Sequence, residues 1–153
     1  MDVPTYLEQI VVPTIGEFEQ RPSSRRHAFL ACVVTYHTVD YIAYPKKKGN
    51  ILKAFRKESA AFSIVDRVAN TFKHVKSGHE NDMHNRPLPV EHVYSRPPTM
   101  MGVAQCGLSL CGDVTGGVAL WGEDNADLLA TVKKAVEFLR TKRSVASAKR
   151  GME

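Results

Sequence analysis

The chain has 153 residues with a formal net charge of +5, 43% apolar and 24% charged residues. That length suits one domain that buries roughly 68–70% of its unfolded surface, so neither a metal nor a disulfide is required to hold it. The composition is ordinary for a soluble globular protein, no stretch approaches the apolar length of a membrane-spanning helix, and the modest basicity leaves an anionic partner such as RNA open.

The three cysteines, Cys32, Cys106 and Cys111, are an odd number without CxxC spacing, which predicts a reducing compartment. The first twenty residues are broken by prolines and lack the basic start and apolar run of a signal peptide, so a cytoplasmic protein is expected. Tyr6, Leu7, Ile10 and Val11 predict a helical turn or two, interrupted at Pro13 and continued by Ile15 and Phe18.

Ser23-Ser24 reads as an N-cap for a helix over 25–44, ended by Pro45. Phe29, Leu30, Val33, Val34, Tyr36, Val39, Tyr41 and Ile42 spread nearly all round its wheel, the pattern of a helix buried on every side. His37 and Asp40 interrupt that surface on one face and need partners there. Lys46-Lys47-Lys48-Gly49-Asn50 reads as a solvated connector.

Residues 51–77 are helical again, with a break at Glu58–Ser59. In the second part Phe62, Val65, Val68, Ala69, Phe72 and Val75 fill one arc. Ser63, Arg67, Asn70 and His74 fill a narrow polar arc, bordered by Asp66 and Lys73. Antiparallel packing of the two long helices would bring Arg67, Asn70 or His74 to His37 and Asp40.

Residues 78–100 form a long polar loop with a short strand near 91–95. From 101 to 121 the period becomes two, and Gly112-Asp113 suits a hairpin turn. That hairpin would pair Cys111 with Val114, Cys106 with Ala119 and Ala104 with Trp121. Ala104, Cys106, Leu108, Leu110, Ala119 and Trp121 would share a buried face, with Cys106 and Cys111 on opposite sides. A last helix runs over 126–141 on Leu128, Leu129, Val132, Ala135, Val136 and Leu139, with acids before it and bases at its end.

The expected fold is α+β: a mainly helical, bundle-like core with one C-terminal antiparallel β-hairpin and a final helix. Residues 1–143 form the domain and 144–153 a flexible basic tail.

Three constellations carry chemistry. Arg67, Asn70 and His74 stack along two helical turns, where Arg67 would hold a phosphate and His74 move a proton. His37 with Asp40 is a second polar group, and Asn70 and Lys73 of the next helix join them as candidate binding residues. His74, His79, His84 and His92 lack the spacing of a zinc motif, so no metal or cofactor is implied.

Arg67 and His74, six residues between them on a helix that follows another long helix, resemble the Arg–His motif of HEPN proteins. The resemblance covers residues 24–78. It implies a small helical bundle, a homodimer, and metal-independent RNA cleavage by Arg67 and His74 at the dimer cleft. Three readings follow. The first is a non-enzymatic interaction or regulatory protein, the second a HEPN-like ribonuclease, and the third a small-molecule enzyme or binder at His37, Asp40 and His74.

Overall fold

The computed structural model describes residues 1–74, 76–78, 80–122 and 126–150, with side chains to residue 142 except those of 76 and 77. The fold is α+β and helix-rich, with small antiparallel strand pairs beside a helical core.

The N-terminal helix does not stop at Pro13. It runs as α1 (Val3–Tyr6), a π-turn (Leu7–Val11) and α2 (Val12–Gln20). Pro13 has no N–H to give and would clash with an ordinary turn before it. The wider turn, in which the Val12 N–H donates to the Leu7 carbonyl, accommodates it. Asp2 caps the start by accepting from the Thr5 N–H at 2.9 Å. Tyr6, Leu7, Val11, Ile15 and Phe18 are buried as expected, while Ile10 lies outside the stripe.

The long helix α3 (Arg25–Ala43) begins at the Ser24 cap. It is not buried all round: Phe29, Ala31, Cys32, Thr35 and Val39 face the core, whereas His37 and Asp40 are 38% and 39% exposed. Its most extensive partner is α5 (Ala60–His74), which follows α4 (Gly49–Glu58). Phe29 near the start of α3 stacks on Phe72 near the end of α5, the order expected of antiparallel neighbours. The predicted break is present, with Ser59 accepting from the Phe62 N–H. Phe72 is half-exposed rather than core, and the helix ends at His74. Val75 lies outside the described residues.

The last helix, α6 (Leu128–Arg150), closes the core with Leu128, Val132, Ala135, Val136 and Leu139. Its backbone continues well past 141, since no Gly or Pro intervenes before Gly151. The acids expected before it, Glu123 and Asp124, lie outside the described residues. Asp127 supplies the cap, accepting from the Ala130 N–H at 2.9 Å. Phe55, Phe62 and Phe138 join α4, α5 and α6 in edge-to-face and tilted contacts of 5.2–6.2 Å.

The strands differ most from expectation. β1 (Lys76–Ser77) pairs with β2 (Leu88–Pro89), and β3 (Val93–Arg96) pairs with β4 (Gly117–Leu120). Tyr94 therefore faces Ala119, and neither Cys106 nor Ala104 is in a ladder. β4 is buried at all four positions, against α6 among others.

The segment 100–113 is a run of turns, not a strand. The Val103 N–H donates to Met100, that of Leu108 to Gln105 and that of Asp113 to Leu110. Gly102, Gly107 and Gly112 each stand third in their turn at φ +80 to +81°. That is the type II geometry, which favours glycine there and repeats every five residues. Three left-handed glycines at that spacing end any two-residue alternation, so the hairpin expected at Gly112-Asp113 does not form.

The segment 84–92 is docked along α5. Ser63 donates to the His84 carbonyl, Arg67 Nε to Arg86 at 2.9 Å and Thr71 to Leu88 at 2.7 Å. Four helical residues advance about 6 Å. Every fourth side chain of α5 meets every second carbonyl of the segment, which leaves a turn at Asp82–Asn85 and enters β2 at Leu88. Gly78, at φ +96°, lies so close to Arg86 that a Cβ would strike its carbonyl.

On the other side of α5, wholly buried Asp66 pairs with Arg56 of α4 and accepts from Asn70 Nδ2 at 2.7 Å. Removing one member of a buried pair strands the other charge. Asp66→Ala is therefore expected to lower stability by about 3 kcal/mol in urea unfolding. A loss near zero would show that Arg56 re-solvates freely.

Candidate functional site

The polar arc of α5 does not meet His37 and Asp40. Ser63 and Arg67 are buried under the docked segment, Arg67 at 6% exposure. Asn70 donates to both the backbone and the carboxylate of Asp66. His74 shares the arc with Arg67 but is exposed. One side of the predicted Arg–His pair is thus inside and the other outside. Lys73 reaches α3, with Nζ 5.8 Å from the Tyr36 ring.

His37 and Asp40 are partnered locally. His37 Nδ1 and Asp40 Oδ2 are 2.7 Å apart, and Lys48 Nζ lies 2.6 Å from Asp40 Oδ1. Lys48 also sits 4.6 Å above the Tyr36 ring. The lysine read as part of a solvated connector is therefore the partner of this site. Partial burial pushes the Asp40 carboxyl up, but hydrogen bonds from Lys48 and His37 outweigh it and leave it below the usual carboxylate range. Burial likewise depresses the Lys48 ammonium, and the bonds to Asp40 and Tyr36 raise it above its ordinary value. Burial, with Tyr41 and Asp40 nearby, pushes the Tyr6 hydroxyl up to about 12. Beside the group an open hollow of about 670 Å³ is lined by Asp2, Val3, Asp40, Tyr41 and Tyr44.

The second surface was not legible as a site. Trp121, expected on a buried face, is 56% exposed, edge-on to Tyr94 with centroids 6.1 Å apart. Glu91, His92, Tyr94, Ser95, Leu108 and Trp121 line an open cleft of about 420 Å³. Beside it in sequence, Met100, Met101, Val103, Leu110 and Val114 are also exposed. The repeating glycines at 102, 107 and 112 were the signal that this stretch turns rather than pairs.

The neck of this loop is clasped. Arg96, 5% exposed, donates from Nε to Asp113 Oδ2 at 2.9 Å, and its Nη2 reaches Asp127 Oδ2 at 3.2 Å. The Thr99 N–H donates to the Asp113 carbonyl at 2.6 Å. Asp113 Oδ1 accepts from the N–H groups of Thr115 and Gly116 at 3.2 and 2.9 Å. Burial raises the Asp113 carboxyl, and the Arg96 and backbone hydrogen bonds overcome that and lower it below the usual range.

Of the histidines in the metal series, His79 lies outside the described residues. Among the described residues no three His, Cys, Asp or Glu side chains gather as a metal site. No helix among them is long and apolar enough to cross a membrane. The molecule is thus a helix-rich α+β protein bearing an exposed aromatic cleft beside a clasped loop. The chain matches no protein-family model, no curated protein and no solved structure.

Two measurements follow. Lys48→Met removes the main bond that lowers Asp40, so its carboxyl is expected to titrate higher by carbon NMR; an unchanged midpoint would show that His37 alone sets it. Asp113, lowered in the folded state, contributes stability above the unfolded carboxylate value of about 3.9 and loses it as pH falls through the folded value. Amide exchange at Thr115 and Gly116 should therefore speed up only below the ordinary carboxylate range. Asp113→Asn should bring that acceleration to neutral pH.

Proposed function

We propose that this is a non-enzymatic interaction protein that seats a partner protein's apolar segment in the Tyr94–Trp121 cleft. The observation that carries this reading is the chain's one tryptophan, which is held at the surface rather than in the core. An aromatic anchor already fixed by a neighbouring ring loses little freedom on binding, the property of residues that dominate interfaces. Glu91 on the rim adds a carboxylate, so the segment that fits presents a bulky apolar side chain beside a basic residue. The clasp at Arg96 supports the reading by fixing the loop that carries Leu108.

A HEPN-like ribonuclease using Arg67 and His74, as a homodimer acting on RNA, draws less support. Arg67 Nε is engaged by the Arg86 carbonyl, and Arg67 is buried where His74 is exposed. A small-molecule site at His37 and Asp40 has one observation in its favour. A carboxylate on Nδ1 orients the imidazole as it would for proton transfer, beside an open hollow.

The test is selection from a displayed random-peptide library on the intact chain. Enriched peptides should share an aromatic or aliphatic anchor, and Trp121→Ala should weaken them about thirtyfold. Absence of enrichment, or equal binding to Trp121→Ala, would reject the cleft. RNA cleavage by the wild type that disappears in His74→Ala would replace this reading with the nuclease. A metabolite that raises the melting temperature of the wild type but not of Asp40→Asn would establish the small-molecule site.

A further inference from the structure

The connection from β3 to β4 carries no charged residue from Pro97 to Gly112, in a chain that is 24% charged. Hydrogen bonds gather its apolar side chains. The Thr99 N–H donates to the Asp113 carbonyl, and the Thr99 hydroxyl donates to the Leu110 carbonyl. Met100 follows Thr99, Val114 follows Asp113, and Leu110 is bonded directly, so these three stand round one neck. The first turn carries Met101 and Val103 out from it. All five are exposed, Met101 completely. Cys106 and Cys111 on the later turns are free, exposed thiols, which behave as small apolar groups. The acid that flanks the loop, Asp113, is held by Arg96 and by the N–H groups of Thr115 and Gly116. A second feature stands against the same neck. The Ser23 hydroxyl, between α2 and α3, donates to the Thr115 carbonyl at 3.4 Å, and the Ser95 hydroxyl donates to the Ser23 carbonyl at 2.8 Å. Arg21, Arg25 and Arg26 on either side of Ser23 are all exposed. Arg25 keeps close to β3, with Nη2 3.3 Å from the Val90 carbonyl.

We infer that this loop and the arginines beside it dock the protein on a bilayer surface that contains anionic phospholipid. Surface adsorption draws on apolar side chains that enter the boundary between headgroups and acyl chains, and on cations that meet the anionic headgroups. The loop supplies the first and the 21–26 turn the second. The loop can enter the boundary as a unit, since the N–H groups of Val103, Ala104, Leu108 and Ser109 are bonded within it. The Arg96–Asp113 clasp keeps its shape fixed, so docking needs no rearrangement. The arginines decide between occupants. A second copy of the chain seated symmetrically on this face would bring two sets of arginines together, whereas an anionic surface neutralises one set. The residues at the tip are not those that line the Tyr94–Trp121 cleft, so the inference stands apart from the peptide reading.

The test is co-sedimentation of the intact chain with phosphatidylcholine vesicles, with and without about one third phosphatidylserine. The expected result is pelleting with the mixed vesicles and little with phosphatidylcholine alone. The double variant Met101→Asp/Val103→Asp should weaken binding by at least about tenfold. Arg21→Gln and Arg26→Gln should each weaken it about fivefold, a difference that added salt removes. All four side chains are exposed, so the variants should keep the wild-type circular dichroism. A tryptophan placed at the tip by Met101→Trp, with Trp121→Phe, should be quenched by lipid brominated in its acyl chains. Equal pelleting of the wild type and the double variant would overturn the inference. So would pelleting with neither vesicle, or a tip tryptophan that brominated lipid leaves unquenched. A wild-type dimer that the double variant makes monomeric without lipid would assign the face to self-association instead.

Discussion

The docking of the 84–88 segment on α5 is the constraint on which the rest depends. Ser63, Arg67 and Thr71 present donors at intervals of about 6 Å, and the carbonyls of His84, Arg86 and Leu88 accept from them in turn. This docking satisfies buried donors that would otherwise be costly. It turns a long polar connection into a covering layer and seats Leu88 in the core. It also fixes where β2 begins and, a few residues on, where β3 enters the sheet that carries the aromatic cleft. Asp66, Arg56 and Asn70 do the corresponding work between α5 and α4.

Much of this was legible in the sequence. The boundaries of α3, the break at Ser59 and the core stripe of α6 follow from caps and apolar periodicity, both local signals. The polar arc of α5 was legible too, but not its purpose. An arginine and a histidine seven positions apart look the same whether they face substrate or the chain's own backbone. The segment that covers Arg67 comes from about twenty residues downstream and has no periodicity of its own. His37 and Asp40 were similarly visible, while their partner Lys48 was concealed in a run of lysines that reads as solvent-facing.

The β-hairpin failed for a different reason. Alternating apolar residues from 101 to 111 satisfy the test for a strand, yet the left-handed glycines break the extended chain before a ladder can form. β4 then takes β3 as its partner, a pairing across a connection of twenty residues from 97 to 116. Trp121, Tyr94 and the exposed sulfurs acquire their setting only from that long-range pairing. The buried Arg96, with Asp113 on one side and Asp127 on the other, is what makes so long a connection end at a fixed place.

The ladder on α5 is also indifferent to sequence in one specific way. The helix addresses carbonyl oxygens, which every amino acid possesses, and not the side chains attached to them. Arg86 is exposed although its backbone is held by Arg67. The docked segment is therefore a stretch whose outward residues can drift while its path stays fixed. Diversification of the surface opposite α5 is open to this fold without any loss of the contacts that close the core.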